Sequence, residues 1–234
     1  MTSAANTAQL EILHRDDLHE GGFAGLREHR LVMDRRAWGL HAGPGTWNGV
    51  GNFIYLADAR FNPKGDTRLH PHHEIDVISI MVDGRIHHEG SLEHGGALEA
   101  FDVQVQRAGG EGFTHNEVNP DETRNRMLQL WVLPEEEGQP AGYKKLTPAW
   151  GGITRVYGGN AAETGSFPAR TFIDVAMLKA GQQAAPPPGG LVYMSKGKAR
   201  LNGNALNEGD LIRGAAGTIT ADADSQIVLV GELT

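Results

Sequence analysis

The chain has 234 residues, of which 39% are apolar and 21% charged, and its formal net charge is −8 with histidines neutral. That is an ordinary globular composition, with enough length for one large domain or two of roughly 100 residues each. The lack of cysteine excludes disulfides, thiolate nucleophiles, Fe–S clusters and cysteine-ligated zinc, while an acidic balance with only short basic clusters, at 27–36 and 196–200, argues against direct nucleic-acid binding.

In chain order, Met1–Gln9 lacks the charged n-region and apolar h-region of a secretory leader. No apolar run approaches the ~20 residues needed to cross a bilayer. With cysteine absent as well, the expected location is cytoplasmic and no membrane contact is expected. The first sixty residues carry few signals. The first distinctive segment is Leu69-His70-Pro71-His72-His73-Glu74, in which Pro71 fixes its own φ and biases His70 toward extended backbone. Proline cannot donate to a ladder, so this segment is predicted at a strand start or edge. VISIMVDGRIHH follows, an apolar run, a turn at Asp83-Gly84 and a second strand. The glycines at Gly109–Gly112 give a tight turn before FTHNE, which holds His115 and Glu117. MLQLWVLP closes this half as a strand.

Pro134–Pro148, PEEEGQPAGYKKLTP, is polar and proline-flanked and reads as a divider, with a short helical candidate near Pro140–Leu146. The second half then repeats the layout of the first. LVYMSKGKARL places its turn at Lys196-Gly197. Ala205–Asp210 echoes Ala97–Asp102, Ala216-Gly217-Thr218 echoes Ala108-Gly109-Gly110, and QIVLVGEL echoes MLQLWVLP. Ala184–Gly190, AAPPPGG, reads as a surface loop within this second unit. Short strands bounded by Gly, Pro, Asp and Asn, with little helical periodicity, predict an all-β chain of closed or two-sheet barrels.

His70 and His72 are two residues apart, as are His115 and Glu117. Side chains alternate across a strand, so each pair points one way, and two adjacent strands could aim three imidazoles and a carboxylate at one point. Such a donor set suits Fe, Ni, Cu or Zn; a histidine-rich loop without metal is the plain alternative. In the repeat, Gln183, Ala185, Ala223 and Ser225 fall opposite these four, so no ligand recurs and one metal per chain is expected in the first barrel. Only one of His87 and His88 can face inward. His87, His73 and His94 are expected at the surface.

The stretches LHPHHEIDVISIMVDGRIHH, AGGEGFTHNEVNP and LQLWVLPEEEG resemble the pirin family of bicupins, its bacterial quercetinase-like members in particular. The matching features are the HPH triplet, the Gly84 turn, Gly110-x-Gly112-x-x-His115-x-Glu117, Asn119-Pro120 and Gln129-x-Trp131, within 69–138. Departures are His73 and Asp76, where the family often has a basic residue and a glutamate, and Gly90-Ser91 in place of an Asp-Ser turn.

The resemblance implies two cupin jelly-roll domains packed together: a metal-binding domain at 1–133, a connecting segment at 134–149 and a ligand-free cupin at 150–234. It further implies one divalent ion, Fe(II) first and Ni, Cu, Mn or Zn otherwise, held by His70, His72, His115 and Glu117, with His88 lining the pocket or supporting a ligand. The implied activity is a quercetin 2,3-dioxygenase reaction. Glu117 would accept the 3-hydroxyl proton of a flavonol-like substrate before O2 opens the heterocycle and carbon monoxide leaves. A second reading, taken from eukaryotic relatives, is a metal- or redox-responsive regulatory protein that binds a protein partner without turnover. A third is a cupin isomerase or sugar-binding protein. An enzyme needs an accessible pocket; a sensor does not.

Overall fold

Runs of Val, Ile, Leu and aromatic residues cut by glycine and proline favour strands, and strands dominate the computed structural model, which describes residues 10–93 and 95–233. In chain order come β1 (Glu11–His14), β2 (Glu20–Phe23), β3 (Leu26–Met33) and a one-turn helix, α1 (Arg35–Trp38). Next are β4 (Phe53–Phe61), β5 (His70–His72), β6 (Asp76–Asp83), β7 (Ile86–Gly90) and β8 (Gly96–Leu98). β9 (Val103–Arg107), β10 (Phe113–Val118) and β11 (Arg126–Val132) end the first half, and β12 (Gly142–Leu146) leads out of it. The second half holds β13 (Gly152–Gly159), β14 (Ala169–Leu178), β15 (Gln183–Ala184), β16 (Leu191–Lys196) and β17 (Lys198–Leu201). β18 (Asn204–Asn207), β19 (Asp210–Arg213), β20 (Ile219–Ala221) and β21 (Ser225–Glu232) complete it.

The first barrel joins a large sheet, β12-β9-β6-β11-β4-β3-β2, to a small one, β5-β10-β7-β8. The second joins β1-β19-β16-β21-β14-β13 to β15-β20-β17-β18. The expected all-β bicupin is therefore the fold. The repeat is structural as well: β9-β6-β11-β4-β3 and β19-β16-β21-β14-β13 run in the same order. Gly84 and Gly197 turn corresponding hairpins with φ of 71° and 92°. At Gly197 a Cβ would come within 2.4 Å of Ser225 Oγ, so only glycine fits. Asp102 Oδ2 accepts the Glu99 N–H at 3.0 Å, and Asp210 Oδ2 accepts the Asn207 N–H at 2.7 Å.

The segment around 140–146 is a strand, not the short helix its sequence suggested. It fills the open edge beside β9, pairing Gly142 to Leu146 with Arg107 to Val103, and a ladder partner outweighs the weak helical bias of so short a segment. The matching edge of the other large sheet is filled from the far end of the chain, where β1 pairs with β19. Each sheet is thus completed by a strand from outside its own run of sequence.

Strict alternation then sorts the first large sheet into two faces. Ile78, Ile80, Val82, Val103, Val105, Leu128, Leu130 and Val132 are buried in one cluster with Val156, Ile173, Val175, Met177, Val228 and Val230 of the second half. The intervening residues, among them Ser79, Gln104, Gln106 and Gln129, turn into the first barrel. Two tyrosines from the second half cross the seam: Tyr193 donates to Asp58 Oδ2 at 2.5 Å and Tyr157 to Asp76 Oδ2 at 2.7 Å. Asp58 also receives Arg126 Nε and Arg15 Nη1, both at 2.9 Å. Burial alone would raise the Asp58 carboxyl, but the bonds and charge of Arg126, with Arg60 and Arg15, outweigh it and hold its pKa at about 2.

That value lies below the ~3.9 of an unfolded aspartate. Its stabilisation is complete above the unfolded value and is lost as pH falls through the folded one. Asp58→Asn should cost about 3–5 kcal/mol near neutral pH, because Arg126 stays buried with only the part-exposed Glu208 left as counter-charge. It should also flatten the acid limb of stability between about pH 4 and 2. Urea titrations of wild type and variant across that range check both.

Candidate metal centre

β5 is an edge strand, as Pro71 requires, and runs antiparallel to β10 with His70 opposite His115 and His72 opposite Phe113. Pro71 is exposed, which turns both flanking imidazoles inward. His115 Nε2 lies 3.1 Å from His70 Nε2 and 3.2 Å from His72 Nε2. The ligand nitrogens of all three lie within 4.8 Å of one another.

The outer nitrogens are tied back. His70 Nδ1 donates to the Arg68 carbonyl at 2.8 Å and His115 Nδ1 to Gln106 Oε1 at 3.0 Å. Both acceptors require the proton on Nδ1, which leaves Nε2 as a bare lone pair facing inward. Burial depresses His72 to about 4, helped by His70, and burial depresses His115 to about 2, helped by His72, His70 and His88. Both rings are therefore neutral at physiological pH. Lone pairs facing each other at such distances repel, and a cation between them removes the repulsion. This donor set fits a divalent metal ion.

Glu117 follows His115 on the same face of β10, fully buried in the wall of the same cavity. Its carboxylate is not part of the three-imidazole group. Oε1 accepts Ser79 Oγ and Gln104 Nε2, both at 2.7 Å. Burial raises the carboxyl to about 7, with those two bonds restraining the rise. Thr67 Oγ1 accepts the Glu117 backbone N–H at 3.0 Å, which anchors the strand itself. Further out, Tyr143 of β12 donates its hydroxyl to Gln104 Oε1 at 3.4 Å.

His88 is buried and His87 exposed. The His88 ring packs against that of His115, with centroids 5.5 Å apart, and its Nε2 lies 2.8 Å from the Leu92 carbonyl and 3.5 Å from Gln106 Nε2, beside the glutamine that holds His115. His73 is exposed, with Nε2 3.2 Å from the Gly110 carbonyl. His94 lies outside the described residues.

The supporting polar residues were not anticipated. Their signal was the alternation Val103-Gln104-Val105-Gln106, which sets an amide on every inward position of β9. The cavity beside the histidines has a volume of about 360 Å³. One wall is a stack of rings, Trp38, Tyr55 and Trp131, with centroids 4.6 Å apart for Tyr55–Trp131 and 5.3 Å for Trp38–Tyr55.

Among the described residues the second barrel has no comparable interior. Corresponding ladder positions put Val192 for Ser79, Ile212 for Gln104 and Leu229 for Gln129, all three within an apolar cluster. His88 pairs with Glu117, and its counterpart Leu201 pairs with Ile219. Ile219, and not Ser225, therefore stands where Glu117 stands. The constant offset of the sequence repeat misses this because the stretch from Asp210 to Ile219 is shorter than the corresponding stretch from Asp102 to Glu117.

The Pirin family model matches residues 44–132. A pirin-like protein of Caulobacter vibrioides is 33% identical over 186 residues, covering 74% of this chain and 80% of that protein. The quercetin 2,3-dioxygenase of Escherichia coli K12 is 28% identical over 171 residues, 68% of this chain and 73% of that one. The fold superposes on the crystal structure of a bacterial pirin from Escherichia coli in complex with nickel(II), with TM-score 0.80 and 19% identity over 97% of this chain and 100% of that chain.

Gln106→Leu removes the acceptor that fixes the His115 tautomer while keeping side-chain size. It should weaken divalent-metal binding about 10–100-fold, as measured by competition with a chromophoric chelator.

Proposed function

The chain belongs to the pirin family, and from that premise we propose that it is a metal-dependent dioxygenase opening the heterocycle of a flavonol such as quercetin. One divalent ion would be held by His70, His72, His115 and Glu117, within a metal-binding domain at 1–133. Residues 134–149 would connect it to the ligand-free cupin at 150–234. Fe(II) is the proposed ion, with Ni, Cu, Mn or Zn as alternatives, since an imidazole-rich set does not by itself choose among them.

The observation carrying this reading is the conjunction of three inward-facing Nε2 atoms with an aromatic-walled cavity of about 360 Å³. That size falls within the ordinary range for small-molecule sites. A bound divalent ion supplies Lewis acidity, lowering the pKa of a hydroxyl placed beside it. The protein's own groups do the rest. Trp131 and Tyr55 offer flat surface against which a planar substrate can stack. Glu117 is poised near neutrality and takes the 3-hydroxyl proton. Ser79 and Gln104 both bind Oε1 and so fix the carboxylate plane without engaging Oε2. O2 then adds across C2 and C4 of the resulting enolate, the C2–C3 and C3–C4 bonds break, both atoms of O2 stay in the opened ester-acid, and C3 leaves with its own oxygen as carbon monoxide. The regulatory reading requires no such cavity, and so the cavity favours turnover.

Oxygen uptake with quercetin should appear in protein loaded with Fe(II) and be lost in His72→Ala. Glu117→Gln should lower kcat by about 10²–10⁴, the usual contribution of a positioned general base. Uptake that persists unchanged in His72→Ala would sink the proposed chemistry.

A further inference from the structure

β3 departs from the rule that inward positions of a barrel strand are apolar. Leu26, Glu28 and Arg30 all reach the cavity, and the strand shifts register against β4 between Arg30 and Val32. Bulges of this kind re-aim side chains beside binding sites. Glu28 is 3% exposed. Its Oε1 accepts Arg30 Nε at 2.8 Å and its Oε2 accepts the Tyr55 hydroxyl at 3.0 Å. Arg30 keeps 39% side-chain exposure and also sends Nη2 to Glu28 at 2.7 Å. An ion pair this deep is weak as a source of stability, because apolar residues of the same volume serve as well or better. Its position in the cavity wall calls for another explanation.

The aromatic wall supplies one. Tyr55 lies against Trp131, and the Trp131 ring stands 5.7 Å from that of His72. One indole thus separates the ion pair's tyrosine from the metal-ligating histidines. A planar ligand lying along this wall, with one end at the imidazoles, brings its other end to Glu28 and Arg30. Building on the function proposed above, we infer that Glu28 and Arg30, with the Tyr55 hydroxyl, form a recognition subsite for hydroxyl groups on the remote ring of a planar phenol. The carboxylate has lone-pair positions beyond those its present bonds use, and the guanidinium has N–H groups on Nη1 beyond those given to Glu28. A ring hydroxyl can donate to Glu28 while accepting from Arg30. A ring without hydroxyls displaces water from both groups and returns nothing, and sites of this type discriminate strongly against such analogues.

The test is equilibrium binding to the zinc-loaded protein under anaerobic conditions, read by tryptophan fluorescence, with quercetin and with 3-hydroxyflavone, which lacks the remote hydroxyls. Wild type should bind quercetin more tightly by about tenfold or more, the size expected for hydrogen bonds to charged groups. Glu28→Gln and Arg30→Met should each weaken quercetin binding by about tenfold and 3-hydroxyflavone binding by less than about twofold. Tyr55→Phe removes a single hydroxyl and should act in the same direction; it decides the matter should either charge variant fail to fold. Equal losses for both ligands, no loss for quercetin, or no binding of either ligand by wild type would overturn the subsite. Intact discrimination without oxygen uptake by the Fe(II) protein would reject the dioxygenase reading and leave the subsite standing.

Discussion

The candidate metal centre hangs on strands β6, β9 and β11 being covered on both faces. One face presents Ile78, Ile80, Val103, Val105, Leu128 and Leu130 to the second half of the chain. The other presents Ser79, Gln104, Gln106 and Gln129 to the cavity. With side chains alternating at period two, the apolar packing on one side dictates where each amide on the other side points. A slip of one residue would bury the glutamines in the seam and turn valines toward the imidazoles. Register at the inter-barrel face and geometry at the site are therefore a single constraint, reinforced where Tyr193 and Tyr157 reach across to Asp58 and Asp76.

This coupling gives the second barrel a part to play without a site of its own. Its sheet covers the outer face of the ligand-supporting sheet, and its interior is filled by Val192, Met194, Ile212 and Leu229. The first barrel keeps a polar interior, which is costly unless every group is satisfied. Much of it is: Ser79 and Gln104 serve Glu117, Gln106 serves His115, and Arg68 serves His70 through its carbonyl. A rigid outer sheet holds these amides at the angles they need. Two copies of one architecture have thus diverged into a scaffold and a centre through a few inward positions.

Much of this was legible in the chain. HPH and His-x-Glu announced strands with paired side chains, Pro71 announced an edge, and the Gly84 and Gly197 turns announced the repeat. The misreadings share one origin. Local bias alone suggests a helix near Pro140–Leu146, yet Gly142–Leu146 forms β12 because β9 has an open edge. A fixed offset sets Ser225 against Glu117, whereas the shorter stretch between Asp210 and β20 and the pairing with β17 place Ile219 there.

By itself the sequence determined the class of fold, the repeat, the location of the donors in one half and the two-residue spacing that aims each pair. Those are local properties, written in adjacent residues and in the backbone preferences of glycine and proline. Only the tertiary structure decided that three imidazoles meet while Glu117 is drawn to Ser79 and Gln104, that β1 and β12 complete large sheets from beyond their own stretches of chain, and that Glu28 and Arg30 join Tyr55 in the wall of the same cavity. Such pairings join residues many positions apart, and their partners are chosen by sheet register and competition for buried hydrogen bonds, neither of which any short stretch of chain contains.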